Sequence, residues 1–272
     1  QINKNIKYLK FDKDDISYND MYKLSNFIWN EICIIKQLQD FVNIKTIKPF
    51  NSTIHYIYGL WDNHPMTQIY NDYIENTMKI CFDFKHHILD KSQIYSLFNE
   101  KIHNIIEKIP RKVCIADIAR YFVNYEYGGF YLDLDIQLFK HLGTFVNKDI
   151  TLFVEHTNCN PLYMGHRENK NYTLRLYNCI FWSKPKQQFW IDCIDLCYER
   201  IQYLLANNVE WEDSDVLWAT GPDVVTTIWH EKYKENDNVN IINIATHKST
   251  FIHECTGTWR NNKDKNQNIT CI

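Results

Sequence analysis

Apolar and polar positions along the chain follow two periodicities in turn, one typical of strands and one typical of helices. Short β-rich runs predict strands over 52–58, 80–84, 150–155, 177–183 and 239–244. Helical spacing, bounded by proline and glycine, predicts helices over 66–78, 92–108, 112–127, 186–206 and 222–230. Because strands alternate with helices, we predict an α/β fold with a mainly parallel central sheet.

The first fifty residues carry a pattern of their own. Apolar residues from Met21 to Val42 recur at roughly helical spacing, and Pro49 follows as a boundary. We therefore predict an N-terminal helical extension over 1–50 and a main domain over 51–272.

Residues 127–138 carry the most informative pattern in the chain, Y-G-G-F-Y-L-D-L-D-I-Q-L. In a continuous strand alternate side chains share a face, so Tyr131, Asp133 and Asp135 would lie together, opposite the leucines. The two carboxylates would stand about 7 Å apart, and their repulsion costs stability unless a cation joins them. Carboxylate oxygens suit Mg²⁺ or Mn²⁺. For an Asp-x-Asp pair alone, a half-exposed strand with an acidic solvent face is the simpler explanation.

The use of glycine favours the functional interpretation. The chain has only seven glycines, whereas an average composition would give about 19 at this length. Two of them, Gly128 and Gly129, stand directly before the acidic residues. A chain so sparing with glycine keeps it where the backbone has positive φ or approaches a ligand closely.

Composition and charge narrow the class of protein. Hydrophobic residues make up 45 % of the chain and aromatic residues 15 %, which indicates a folded domain. The net charge of −3 is spread over the sequence, so there is no basic stripe for nucleic acid or a membrane surface. We expect a soluble protein without a membrane segment. Its Asn-, Ile- and Lys-rich composition, of protist or giant-virus type, favours the cytoplasm; the Golgi lumen is the alternative if an anchor preceded Gln1.

The nine cysteines include no C-x-x-C pair. We expect small buried hydrophobic side chains at these positions. A disulfide framework and a zinc site are the less favoured alternatives.

Asp117 and Arg120 lie three residues apart on the helix that leads into the glycine pair, so their side chains point the same way. One interpretation is an intrahelical ion pair of structural character. The other places both side chains beside the acidic residues. Arg120 would then grip phosphate oxygens, and Asp117 would accept hydrogen bonds from sugar hydroxyls.

The run A-D-x-x-R-Y at 116–121, followed by Y-G-G-F-Y-L-D-L-D at 127–135, resembles the core of the DXD-containing sugar transferases. These are the family 32 glycosyltransferases, which include yeast Golgi α-1,6-mannosyltransferases and bacterial capsule enzymes. The glucosyltransferase domains of large clostridial toxins are similar. Three further segments resemble the family and stand in the order that the family has along the chain: I-H-Y-I-Y-G at 54–59, T-G-P at 220–222 and H-x-x-x-G-T-W at 253–259. The resemblance implies a GT-A type, Rossmann-like fold that binds nucleotide sugars.

The resemblance also implies roles for individual residues. The residues in catalytic positions would be Asp117, Arg120, Asp133 and Asp135. Asp133 and Asp135 would hold Mn²⁺ or Mg²⁺, and His253 would be a third ligand or a structural hydrogen-bonding residue. The donor would be bound by Tyr58, Asp117, Arg120, Asp133, Asn178, Gly221 and Trp259. Tyr58 stands where the family commonly has Trp, and for Trp259 a place in the core is an open alternative.

From these residues we expect a metal-dependent, retaining glycosyltransferase that moves a hexose from a nucleotide-diphosphate sugar to a glycan or protein acceptor. The spacing between Arg120 and Asp133 resembles that of the toxins and favours a UDP-sugar over GDP-mannose. Two alternatives stay open: an inactive transferase-like domain that binds sugar, and a metal-dependent phosphohydrolase. The phosphohydrolase is less favoured, because such centres commonly use a lysine or further carboxylates and the acidic run offers no lysine.

Overall fold

The computed structural model describes residues 53–60, 65–157, 170, 172 and 174–256. Chain contacts divide the protein into two units, Gln1–Lys48 and Pro49–Ile272, and all described residues belong to the second. The predicted N-terminal extension and Trp259 therefore lie outside the described residues.

A six-stranded sheet forms the centre of the described part. The strands, in chain order, are β1 (Thr53–Ile57), β2 (Lys85–Leu89), β3 (Gly129–Leu132), β4 (Ile136–Leu138), β5 (Ile150–Thr157), β6 (Leu174–Ser183), β7 (Val239–Ile242) and β8 (Phe251–His253). The sheet has the order β2-β1-β3-β6-β5-β7, and β4 pairs with β8 in a separate ribbon. β6 runs antiparallel to both of its neighbours, while the remaining pairs are parallel. The prediction of a mainly parallel sheet is therefore confirmed.

Helices cover both faces of this sheet. They are α1 (Gln68–Ile80), α2 (Lys91–Leu97), α3 (Glu100–Ile106), α4 (Val113–Tyr127), α5 (Gln188–Ala206), α6 (Asp213–Ala219), α7 (Pro222–Ile228) and α8 (Ile244–His247). Along β3, Tyr131 faces a core shared with α4, α5 and α7, and its neighbour Phe130 faces a core shared with α1 and β8. Among the described residues, none of these helices combines the length and apolar character needed to cross a bilayer.

The passage from α4 into β3 depends on its two glycines. Gly128 follows the last residue of α4 with φ 63°, and Gly129 has φ 87°, a region that other residues rarely adopt. A Cβ on Gly129 would lie 2.5 Å from the carbonyl oxygen of Thr53 on β1. The prediction that glycine is kept here for backbone reasons is confirmed.

Two of the elements predicted before Gly128 differ from the structure. The strand expected over 80–84 is wrong: α1 continues to Ile80, a turn follows, and β2 begins at Lys85. The single helix expected over 92–108 is divided into α2 and α3. Asn99 divides it, because its side chain accepts a hydrogen bond from the backbone N–H of Ile102 and so starts a new helix.

The continuous acidic strand expected directly after Gly128 is also wrong. β3 ends at Leu132, and the backbone N–H of Ile136 donates to the carbonyl of Asp133 at 3.2 Å, which closes a turn. The alternation of side chains therefore stops at Leu132. Asp133 and Asp135 occupy this turn between β3 and β4, where their positions depend on turn geometry and on later parts of the chain.

The cysteines follow the sequence expectation with one exception. Free and buried cysteines among the described residues are Cys81, Cys114, Cys179, Cys193 and Cys197. Cys255 instead forms a disulfide, so the expectation of an unpaired side chain is wrong at this position. Its sequence neighbours give no sign of pairing, because a disulfide depends on which segments the fold brings together.

Candidate active site

Three of the predicted site residues converge beside the end of β3. One ligand atom from each of Asp133, Asp135 and His253 lies within 4.8 Å of the others. The two aspartates come from the turn before β4, and His253 comes from β8. Antiparallel pairing of β4 with β8 sets Ile136 opposite His253, which brings the imidazole to the residue just before Ile136.

Asp135 is held by hydrogen bonds from the segment after β8. Its Oδ2 accepts from the backbone N–H and from the hydroxyl of Thr256, both at 3.0 Å. Its Oδ1 lies 3.2 Å from Nε2 of His253. Burial alone would raise the pKa of Asp135, but the bonds from His253 and Thr256 outweigh burial and lower it to about 2. The carboxyl group is therefore ionised across the physiological range.

Asp133 faces the opposite side of the cluster, towards helix α4. Its Oδ1 accepts a hydrogen bond from the hydroxyl of Tyr131 at 2.6 Å, and its Oδ2 lies 3.2 Å from Nη1 of Arg120. Burial raises the pKa of Asp133, against the opposing effect of the Arg120 charge, and the charge of Asp135 raises it further. Two like charges are thus held side by side, an arrangement that a bound cation would stabilise.

Arg120 connects the aspartate turn with strand β6. Its Nη2 lies 3.0 Å from Oδ1 of Asp117, and its Nη1 donates to the backbone carbonyl of Asn178 at 2.6 Å. The guanidinium also lies over the ring of Tyr131, 5.0 Å from its centre. The predicted interaction between Asp117 and Arg120 is present, and Arg120 contacts Asp133 through the same guanidinium.

Asp117 is bound on both carboxylate oxygens. Oδ1 accepts from the side-chain amide of Asn178 at 3.0 Å, besides its contact with Arg120, and Oδ2 accepts from the hydroxyl of Thr220 at 2.8 Å. The residue is only 4 % exposed. Asp117 therefore orients both the guanidinium of Arg120 and the side-chain amide of Asn178.

The donor set suits a hard or borderline divalent cation. Two carboxylates and one imidazole supply oxygen and nitrogen ligands of the kind that Mn²⁺ or Mg²⁺ accept, with coordination positions left for phosphate or water. Charge supports this fit. Three carboxylates, from Asp117, Asp133 and Asp135, face the single guanidinium of Arg120 and the imidazole of His253.

The remaining predicted donor residues lie at different places. Tyr58 directly follows β1, so it stands at the same edge of the sheet as the end of the parallel strand β3. Gly221 precedes α7, and a Cβ there would lie 2.9 Å from the backbone of Leu217, which gives this glycine a packing role. Trp259 lies outside the described residues.

Three residues of the cluster have no role in the sequence analysis. Tyr131 and Thr220 belong to the matched motifs, which indicated that they lie near the site. The motifs do not indicate that the Tyr131 hydroxyl contacts Asp133 or that the Thr220 hydroxyl contacts Asp117. Thr256 is one of the variable positions of the H-x-x-x-G-T-W element. Its contact with Asp135 joins residues 121 positions apart, and no local pattern indicates it.

Comparisons with solved structures concern the fold. The UDP-bound glycosyltransferase domain of the YGT toxin is 10 % identical, with 75 % of this chain and 82 % of that chain covered and a TM-score of 0.51. PaToxG glycosyltransferase is 18 % identical, with 75 % and 78 % covered and a TM-score of 0.49. A glycosyltransferase involved in glycosylation of the major capsid of PBCV-1 is 11 % identical, with 75 % and 93 % covered and a TM-score of 0.36. At these low identities the likeness concerns the fold alone. Of the three structures, the UDP-bound YGT toxin domain has a TM-score above 0.5, and it supports a shared fold.

Comparisons of sequence concern the family. No protein with a curated description matches the chain. The family described as "glycosyltransferase sugar-binding region containing DXD motif" matches residues 2–153, which is more than half of the chain and includes both aspartates of the turn. This protein therefore belongs to the DXD-containing glycosyltransferase family and is a transferase with a GT-A type fold.

Proposed function

We propose that the protein is a metal-dependent, retaining hexosyltransferase that uses a UDP-sugar, in preference to GDP-mannose, and glycosylates a glycan or protein. The observation that carries this proposal is the convergence of Asp133, Asp135 and His253 next to Arg120. A family fold alone would be compatible with an inactive domain. Retention of two ionisable oxygen ligands, an imidazole and an adjacent guanidinium in one cluster favours an active one.

The metal would be held by Asp133, Asp135 and His253. When bound, Mn²⁺ or Mg²⁺ would supply Lewis-acid stabilisation of the negative charge that develops on the leaving diphosphate. His253 ligates only as neutral imidazole, so binding would release the proton that it shares with Asp135.

Arg120 and its partners would orient the donor. The guanidinium is fixed by Asp117, Asp133 and the carbonyl of Asn178, so it is preorganised for phosphate or sugar oxygens. Asp117 would hold that geometry and, where its oxygens are accessible, accept a donor hydroxyl. Tyr58 would stack on the base, and Gly221, Asn178 and Trp259 would complete the donor site.

The transfer would retain the configuration at C1 of the hexose. We assign a displacement on one face of the sugar: the acceptor oxygen bonds to C1 as the bond from C1 to the diphosphate oxygen breaks. The acceptor hydroxyl proton passes to the departing UDP. Each bond formed is matched by one broken, and no further reactant is required.

Two observations support UDP as the nucleotide. The interval from Arg120 to Asp133 resembles that of the clostridial toxins, and the YGT toxin domain that shares the fold is a UDP-bound protein. Neither concerns the hexose, for which several UDP-sugars are candidates.

Calorimetry and thermal unfolding with UDP-glucose, UDP-galactose, UDP-N-acetylglucosamine and GDP-mannose, each with and without Mn²⁺, test the proposal. We expect binding and stabilisation by a UDP-sugar only with Mn²⁺, followed by slow release of UDP and of a hexose whose anomeric form is read by NMR. Asp135→Asn should remove the Mn²⁺-dependent binding of the UDP-sugar and the stabilisation that it gives. Tight binding without turnover would favour the inactive sugar-binding domain, and hydrolysis of simple phosphate esters would favour a phosphohydrolase. An inverted product would overturn retention.

A further inference from the structure

We propose that Tyr70 and Thr256 form a hydrogen-bonded relay that positions Asp135 for the metal, so that helix α1 takes part in metal binding. This inference rests on the proposed metal site. It assigns positioning roles to two residues for which the family resemblance implies no role.

The relay consists of two consecutive contacts. The hydroxyl of Tyr70, in the first turn of α1, lies 3.3 Å from the hydroxyl of Thr256. The hydroxyl of Thr256 lies 3.0 Å from Oδ2 of Asp135. These contacts join α1, the segment after β8 and the aspartate turn, three parts of the chain that are far apart in sequence.

The direction of the hydrogen bonds follows from the chemistry of the three groups. A carboxylate oxygen accepts, so the Thr256 hydroxyl donates to Oδ2 of Asp135, the same oxygen that accepts the backbone N–H of Thr256. A hydroxyl has one proton, so Thr256 accepts from Tyr70. Donation from Tyr70 makes the Thr256 hydroxyl a better donor, because successive hydrogen bonds polarise one another.

The relay leaves one oxygen of Asp135 available for the metal. Oδ2 is occupied by the backbone N–H and hydroxyl of Thr256, while Oδ1 faces Nε2 of His253 at 3.2 Å. Fixing Oδ2 therefore fixes the direction in which Oδ1 points. A second contact supports the same segment, since the backbone N–H of Glu254 donates to the carbonyl of Asp135 at 3.0 Å.

Helix α1 offers a matched control for the tyrosine. Tyr73 is also partly buried, lies one turn after Tyr70 and is close enough for the charges of Glu254 and Asp135 to act on it. Its hydroxyl does not take part in the relay. A comparison of Tyr70→Phe with Tyr73→Phe therefore separates the effect of the relay from a general effect of losing a tyrosine hydroxyl near the site.

Mn²⁺ affinity, measured by calorimetry and by electron paramagnetic resonance without nucleotide, tests the relay in the full chain. We expect about tenfold weaker Mn²⁺ binding in Thr256→Val, which keeps the backbone N–H, and affinity close to wild type in Thr256→Ser. Tyr70→Phe should weaken binding about threefold and Tyr73→Phe should not weaken it. In the double variant Tyr70→Phe/Thr256→Val the loss should equal that of Thr256→Val alone, because both act through one chain of bonds.

The outcomes distinguish the relay from the metal site itself. If the wild type does not bind Mn²⁺, the proposed site fails and the relay with it. If the wild type binds Mn²⁺ and Thr256→Val binds it equally well, the relay alone is overturned. Additive losses in the double variant, or an equal loss in Tyr73→Phe, would also overturn it. Melting temperatures of all variants show whether a loss of affinity reflects a loss of folding.

Discussion

Two buried arginines in this protein each contact two carboxylates, but the two clusters are not equivalent. Arg120 lies 3.0 Å from Asp117 and 3.2 Å from Asp133. Arg175 lies 3.3 Å from Glu155 on β5 and 3.0 Å from Asp223 on α7. The side chains of Arg120 and Arg175 are 5 % and 4 % exposed, so burial of the guanidinium does not distinguish them.

The difference lies in charge balance and in access. Near Arg175, the charge of Arg200 also acts on Asp223, so two carboxylates face two guanidinium groups, and Asp223 is only 2 % exposed. Near Arg120, Asp135 adds a third carboxylate and Asp133 is 23 % exposed. A balanced and closed cluster holds β5, β6 and α7 together. In an unbalanced cluster with convergent, accessible oxygens, a bound cation would offset the excess negative charge.

The largest expected effect is on catalysis, in Asp135→Asn. This change removes a proposed metal ligand while keeping the side-chain shape. We expect Mn²⁺-dependent release of UDP from the donor to fall at least about 10³-fold, a loss typical for removal of one group that stabilises the developing charge. The unfolding free energy should fall by about 1 kcal/mol, because Asn keeps the shape of the side chain but loses the negative charge that His253 and Thr256 stabilise in the folded state. Kinetics of UDP release and urea unfolding of the same sample check both parts.

A change in the Arg175 cluster should lower the stability of the protein and leave its affinity for Mn²⁺ unchanged. Arg175→Met leaves Glu155 and Asp223 as buried carboxylates without their principal partner. We expect a loss of about 3 kcal/mol in unfolding free energy, as when one member of a buried ion pair is removed. Mn²⁺ affinity should stay close to that of the wild type. A variant that keeps its stability but no longer binds Mn²⁺ would contradict the division of roles between the clusters.

His55 provides a buried titratable group outside both clusters. Burial, together with the nearby His87, lowers the pKa of His55 to about 4. The folded state thus prefers neutral His55, so its contribution to stability is present above the unfolded pKa of about 6.5 and is lost as pH falls towards 4. This group alone should lower the free energy of unfolding by about 2 kcal/mol when the pH falls from 7 to 5. Urea unfolding of wild type and His55→Gln at both pH values should show a smaller pH-dependent loss in the variant.

Asp223 should give the smallest effect, with the opposite sign. Burial raises the pKa of Asp223 to about 6, although Arg175 and Arg200 act to lower it and Glu155 acts to raise it. Folding then favours the protonated carboxyl, so this contribution is present below the unfolded pKa of about 3.9 and is lost as pH rises through 6. We expect about 1 kcal/mol less stability from this group at pH 7 than at pH 5. The same unfolding measurements on Asp223→Asn should lack this decline; an unchanged slope would show that the carboxyl is ionised throughout.

Local sequence features predicted the part of the site that lies in one stretch of chain. Helix α4, its end at Gly128 and the approach to the aspartates follow from apolar spacing and glycine positions between 112 and 132. The pairing of Asp117 with Arg120 follows from helical spacing. Within such a stretch, the local conformation of the chain decides which side chains are in contact.

Sequence reasoning failed where distant segments decide the geometry. The turn at Asp133 to Asp135 replaces the expected strand, because β4 leaves the central sheet to pair with β8. The family resemblance indicated His253, but the contact of Thr256 with Asp135 has no local signature. The cluster of Arg175, Glu155 and Asp223 is likewise formed by three separate elements, and nothing in their spacing along the chain points to it.

The pairing of β4 with β8 also bears on the order in which the protein matures. Asp135 and Thr256 are 121 residues apart, so loop closure over most of the domain precedes their contact. During synthesis the aspartates leave the ribosome well before β8 exists, and the emerging chain holds only two of the three proposed ligands. Such long-range contacts form late in folding. The ribbon would thereby delay the proposed metal binding until the sheet beneath the site is complete.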